Sequence, residues 1–138
     1  MTTPFIFIGT HKIKPGKRKA FKAYFAAFCS EIVEPQEPRL HSFYGYMAPD
    51  SDVVTIVQVH PDADSMLFHL RLLREHISGA VGEEGPINVT VNNQIFGTPS
   101  DAVLEMLGEF DPGVPLTVKP LSVAGFTRSA AEQTPAAG

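Results

Sequence analysis

Tryptophan is absent from this 138-residue sequence, and cysteine occurs once, at Cys29. One cysteine excludes an internal disulfide, so stability has to come from packing, and a reducing compartment, the cytoplasm, is the expected location. Long apolar runs are missing too. The run from Phe5 to Ile8 is far short of the roughly 20 residues of a membrane helix. It is also too short for a secretory leader, and the nearby basic residues follow it instead of preceding it. No membrane association is expected. Positive charge is scarce: 11 Lys and Arg stand against 15 Asp and Glu, a net charge of -4, which argues against general affinity for nucleic acid. What is present, 43% hydrophobic and 19% charged residues, is the composition of a globular domain.

Periodicity divides the chain. Phe5 to Ile13 (FIFIGTHKI) is β-branched and aromatic and ends at Pro15-Gly16, which predicts a strand. From Lys17 the spacing turns helical, with Phe21, Phe25, Phe28 and Ile32 on one stripe up to Pro35 and Pro38. Leu40 to Ala48 and Val53 to His60 form a predicted hairpin around Pro49-Asp50-Ser51-Asp52. Asp62, Asp64 and Ser65 then offer capping groups to a second helix carrying Met66, Leu67, Leu70, Leu73 and Ile77, which runs to Gly79. Ser78 to Pro86, rich in glycine, reads as a mobile loop, and Ile87 to Phe96 as a fourth strand. Gly79, Gly82 and Gly85 follow a helix instead of opening one, so they make no phosphate loop. Pro99-Ser100-Asp101 opens a short helix through Phe110, and Val114 to Phe126 is a fifth strand interrupted by Pro115 and Pro120. The expected organisation is one domain over 1–126, with a core at 5–96, a helix-strand extension at 99–126, and a disordered tail at 127–138.

A β-α-β-β-α-β order places both crossover helices on one face of an antiparallel sheet, the ferredoxin-like α+β arrangement. A four-residue hairpin loop sets Ala48 opposite Val53. One face then carries Leu40, Tyr44, Tyr46, Val53, Val57 and Val59, and the other His41, Phe43, Met47, Val54, Ile56 and His60. Both are apolar, so the face the helices leave bare needs a cover, and a second copy making a dimeric α+β barrel is the simplest one. The bare face is expected to be the one bearing histidines.

Lys14-Pro15-Gly16-Lys17 before an aromatic-rich helix, the strand VVTIVQVH and the segment PDADSMLFHL resemble the antibiotic biosynthesis monooxygenase-like family over about Phe5 to Phe96. The resemblance implies a homodimer with a cleft between sheet and helices. It also implies oxidation of aromatic polyketides or quinols without metal or flavin, hence no cofactor, and a histidine early in the second helix, matched here by His69. Relatives that degrade haem use a tryptophan, which this chain lacks.

The candidate catalytic residues are His69, His41 and His60. His41 and His60 face each other in the expected register and could share a proton, polarise a substrate oxygen or hold a metal; alternatively both lie solvated at the sheet rim. A metal would need a third ligand, and none is evident, so no metal site is expected. His69 borders the Met66, Leu70 and Leu73 stripe and is either a pocket group or a boundary histidine bonded to backbone. His69 and His76 stand about 10 Å apart along the helix and cannot share one ion. Phe7, His11, Phe43, Met47 and Ile56 are the candidate substrate-binding wall, suited to a hydrophobic or aromatic small molecule. Cys29 reads as a small hydrophobe, and Tyr44 and Tyr46 as packing residues or hydroxyl donors. Asn92, Asn93 and Gln94 are either amides in the pocket or polar residues of an edge strand. Six of the basic residues cluster between Lys12 and Lys22, but strand three lacks the aromatic platform that RNA recognition on this strand order uses. The two readings that remain are a small-molecule enzyme, a monooxygenase without a tightly bound cofactor, and a non-catalytic ligand-binding or dimerisation module.

Overall fold

The computed structural model describes residues 3–76, 81–82 and 85–128. The first strand, β1 (Phe5–Ile13), alternates buried and half-buried side chains, as an aromatic and β-branched segment with one face on a core should. Lys14 to Lys17 turn the chain through Gly16, whose φ of 78° suits glycine, into α1 (Arg18–Ala27). The helix does not stop at Ala27. It passes through a π-helical turn, Phe28–Val33, and a last short turn, α2 (Glu34–Gln36). The hairpin β2 (Ser42–Met47) and β3 (Val53–His60) follows, and then α3 (Ala63–His76). Asp62 caps α3, its Oδ1 accepting from the Ser65 N–H at 3.0 Å. The two-residue strands β4 (Val81–Gly82) and β5 (Gly85–Pro86) pair with each other. The expected mobile loop at 78–86 otherwise lies outside the described residues, as does the expected tail from residue 129.

The last elements are β6 (Asn88–Phe96), α4 (Asp101–Phe110) and β7 (Leu116–Lys119). Ser100 caps α4 through its hydroxyl, which accepts from the Val103 N–H at 3.2 Å. The expected fifth strand was longer, Val114 to Phe126. It ends at Lys119 because Pro120 has no N–H to donate, and the chain beyond it is exposed and irregular.

The sheet order is β2-β3-β1-β6-β7. The first four strands pair antiparallel, and β7 joins parallel to β6 across the α4 crossover. This is a ferredoxin-like α+β sheet with one strand added, so β6 is an interior strand. The hairpin register is the expected one, with Met47 opposite Val54 and Phe43 opposite Gln58.

The helices cover one face only. Phe5, Phe7, Ile95, Met66, Leu70, Val103 and Leu107 form one buried cluster under α3 and α4, and Ile13, Phe21 and Val54 form a second under α1. The covered face is the one carrying Phe43, Ile56 and His60. The bare face carries Ile6, Ile8, Tyr44, Tyr46, Val57 and Val59, which corrects the expectation that the histidines would lie there. Tyr44 and Tyr46 are 59% and 61% exposed, with Val89 and Val91 also exposed.

Candidate functional site

The covered face can be read in rows across the strands. His60 pairs with Phe5; Phe43, Gln58, Phe7 and Ile95 form the next row; Gly45, Ile56, Gly9 and Asn93 the third; Met47, Val54 and His11 the fourth. The five expected substrate-binding residues, Phe7, Phe43, Ile56, Met47 and His11, occupy three successive rows of that one face. Gly45 is needed where it is, since a Cβ there would stand 2.8 Å from the Phe25 ring. Phe25 in turn meets Phe21 and Phe43 at 5.9 and 5.4 Å between ring centres.

The π-helical turn decides what faces the upper rows. An unbroken α-helix would continue the Phe21, Phe25, Phe28, Ile32 stripe to residue 36. The wider turn, closed by the Glu34 N–H bonding the Cys29 carbonyl, delays the stripe by one residue, so that Val33 and then Glu37 point inwards. Glu37 is 5% exposed. Its Oε2 stands 2.7 Å from Nδ1 of His69, which is 3% exposed on α3. A carboxylate only accepts, so Nδ1 carries the proton of this bond, and in the neutral ring the lone pair then falls on Nε2. Among the described residues Glu37 Oε1 is a buried oxygen without a hydrogen-bond partner. The His69 ring also meets Phe43 edge-on at 5.3 Å and His60 at 6.1 Å.

His60 is wholly buried, and both its nitrogens are engaged, Nδ1 with Ser65 Oγ at 2.7 Å and Nε2 with Gln58 Oε1 at 2.9 Å. The amide oxygen must accept, which places the proton on Nε2 and makes Ser65 the donor to Nδ1. Burial, and then the neighbouring His69 and His41, push the His60 pKa from 6.5 down to about 3. Below pH 6.5 the unfolded chain therefore binds a proton that the folded chain refuses. Stability should fall as pH falls from 6.5 towards 3, by up to about 1.4 kcal/mol per unit, and this contribution should be level above 6.5. Urea titrations of wild type and His60→Asn at pH 7 and pH 5 check this, the variant losing less stability on acidification.

The paired residues of β2 begin at Ser42, so His41 lies just outside the ladder, and the expected pairing with His60 is not made; its N–H bonds the Val59 carbonyl at 2.8 Å, and the residue is exposed at the rim. The structure thus brings His60 and His69 together inside and leaves His41 outside. His11 is elsewhere on the face, half-buried, with Asn88 and Thr90 at 3.2 and 3.3 Å from Nδ1. Burial lowers its pKa, and Asp111 partly offsets this. A register shift between Thr10 and His11 aims it there. Asn93 is buried, its amide donating to Asp111 at 2.9 Å. Cys29 is half-buried, its thiol pushed up by burial and by Glu34. No group of three or more metal-ligating side chains occurs among the described residues, and no described helix is long and apolar enough to cross a membrane.

MupZ from Pseudomonas fluorescens matches this structure at a TM-score of 0.69 with 22% identity, over 93% of this chain and 91% of its own. So long a match takes in most of the 99–126 extension. A Shewanella loihica protein described provisionally as a monooxygenase matches at 0.51 with 13% identity, over 72% of this chain and 98% of its own. A Chloroflexus aurantiacus protein described provisionally as an antibiotic biosynthesis monooxygenase matches at 0.50 with 20% identity, over 67% and 90%. This chain has the antibiotic biosynthesis monooxygenase-like fold. No protein-family model and no curated protein matches the sequence. Glu37, His60 and His69 converge on the side of the sheet that the helices cover.

Proposed function

We propose that this chain is a homodimeric small-molecule-binding protein that uses His69, oriented by Glu37, as a general base on a hydrophobic aromatic or quinol-type substrate. The buried 2.7 Å contact between His69 Nδ1 and Glu37 Oε2 carries this reading, because it leaves Nε2 as the accepting nitrogen beside Phe43. The substrate would lie beside Phe43, Ile56, Met47 and His11, the half-buried members of the expected wall, Phe7 being taken up by the core. Deprotonation there yields an electron-rich anion that O2 can oxidise. A methylene between aromatic rings plus O2 gives a ketone and water, the substrate supplying all four electrons, so no further reductant is needed. His60 has no free nitrogen to offer: its bond to Ser65 holds β3 to α3, and its bond to Gln58, on its own strand, fixes the ring. A panel of quinols and polycyclic phenols tested for O2 uptake, with His69→Ala as control, checks the reading. No turnover and no ligand-induced thermal shift would favour a non-catalytic dimerisation module instead.

The dimer is supported by the bare apolar face around Tyr44, Tyr46, Val57 and Val59. Sedimentation at micromolar concentration should give about twice the 15.0 kDa chain mass. Tyr46→Asp should raise the dimer dissociation constant at least about tenfold, as loss of a central aromatic contact does. A clean monomer in the wild type would end this part of the proposal.

A further inference from the structure

Beyond Lys119 the chain continues as an arm, residues 120–128, without helix or strand. Among the described residues no backbone hydrogen bond ties 120–127 to the rest of the chain. Leu121, Val123 and Phe126 stand 82%, 95% and 79% exposed on it. Single exposed apolar side chains are ordinary, but three on one short unpaired segment make a patch that marks an interaction site. The arm turns onto the bare side of the sheet, where Val123 and Phe126 line an open cavity of about 480 Å³ together with Ile6, Phe96 and Lys119. Those last three are one cross-strand row of the bare face. Two apolar surfaces thus look the same way from opposite edges of the sheet: the arm beside β7, and Tyr44 and Tyr46 on β2, whose rings stack at 6.0 Å between centres. Four strand spacings, about 19 Å, separate these edges. Seated at the Ile6 row, the arm leaves the tyrosines of its own chain uncovered.

We infer that the arm of one copy clasps Tyr44 and Tyr46 of a second copy, which fill the cavity between arm and sheet. The inference rests on the homodimer proposed above and names the segment that secures it. A two-fold axis running along the strands, between two facing bare sheets, sets β7 of one copy against β2 of the other, and does so twice. Each cavity then receives two amphipathic rings against Val123 and Phe126. The area fits this occupant. The exposed parts of Tyr44, Tyr46 and Phe126 come to on the order of 400 Å². With Leu121, Val123 and the exposed Val53, Val89 and Val91, each copy approaches the roughly 800 Å² of a stable interface, about half of it from the arm.

The chain has no tryptophan, so Phe126→Trp in the full chain places a single indole on the arm. Its emission should be that of a buried indole at micromolar concentration, and that of an exposed one after dilution to monomer or when combined with Tyr46→Asp. In sedimentation, Val123→Asp with Phe126→Asp should raise the dimer dissociation constant at least about tenfold. Far-UV circular dichroism should not change, because both positions are exposed within the chain. A dimer that Tyr46→Asp weakens and the arm variant leaves intact would overturn the clasp while keeping the dimer; a monomeric wild type would end both. An indole buried at every concentration and indifferent to Tyr46→Asp would show the arm closed on its own chain, and one exposed in the dimer would show it closed on nothing. Either result overturns the inference.

Discussion

Replacing either member of the Glu37 and His69 pair with leucine should cost about 3–5 kcal/mol of folding stability, while replacing both should cost far less than the sum. The reason is the depth of the pair. With side chains 2% and 4% exposed, removal of His69 leaves a buried carboxylate with neither oxygen bonded, since Oε1 has no partner to begin with. Removal of Glu37 leaves a buried Nδ1–H with no acceptor. Two leucines in place of both remove the unmet polar groups together and fill similar volume. Urea unfolding of Glu37→Leu, His69→Leu and the double variant gives the coupling energy directly, and additive losses would show that the two groups do not act as a pair.

His69→Gln should lower the turnover number on any accepted substrate about 10²- to 10⁴-fold, with KM little changed. Glutamine keeps an N–H donor within reach of Glu37 but has no imidazole lone pair to take a proton. Glu37→Gln should have a smaller effect on turnover and should distort the pH profile, because an amide can hold the ring in either tautomer where a carboxylate holds only one. His41→Ala should be nearly silent, since that side chain is exposed at the rim. An unchanged rate for His69→Gln would remove the base from the proposed reaction.

The architecture was legible in the residues because each element repeats its own period. The four-residue turn Pro49 to Asp52 set the hairpin register, and the pairing of Met47 with Val54 follows from it. The strand order followed from the handedness of crossovers. Parity could sort residues into two faces but could not say which face the helices take, because both are apolar; only the packing of Phe21, Met66 and Val103 decides that. The extent of β7 failed for a local reason, Pro120.

The site was legible by half. His69 stood at helical spacing beside Met66 and Leu70, which left it either inward or at the boundary of the stripe, and only the packing places it inside at 3% exposure. Glu37 could not, because Pro35 and Pro38 read as the end of the helix and the π-helical turn at Phe28–Val33, which rotates Glu37 inwards, has no sequence period of its own. His60 looked like a rim residue, since it closes a strand just before a turn. Its burial depends on Ser65 and Gln58, one of which reads as a capping group and the other as an ordinary polar strand residue. The segment after Lys119 carries exposed Leu121, Val123 and Phe126, three large apolar side chains that the chain itself leaves uncovered.

The central claim is that Glu37 holds His69 with its proton on Nδ1 and its lone pair on Nε2. Nitrogen-15 NMR of the imidazole groups at neutral pH tests it without any substrate. The His69 ring should show a protonated Nδ1 and an unprotonated Nε2, and the pattern should change in Glu37→Gln. A His69 ring carrying its proton on Nε2 at neutral pH would contradict the account.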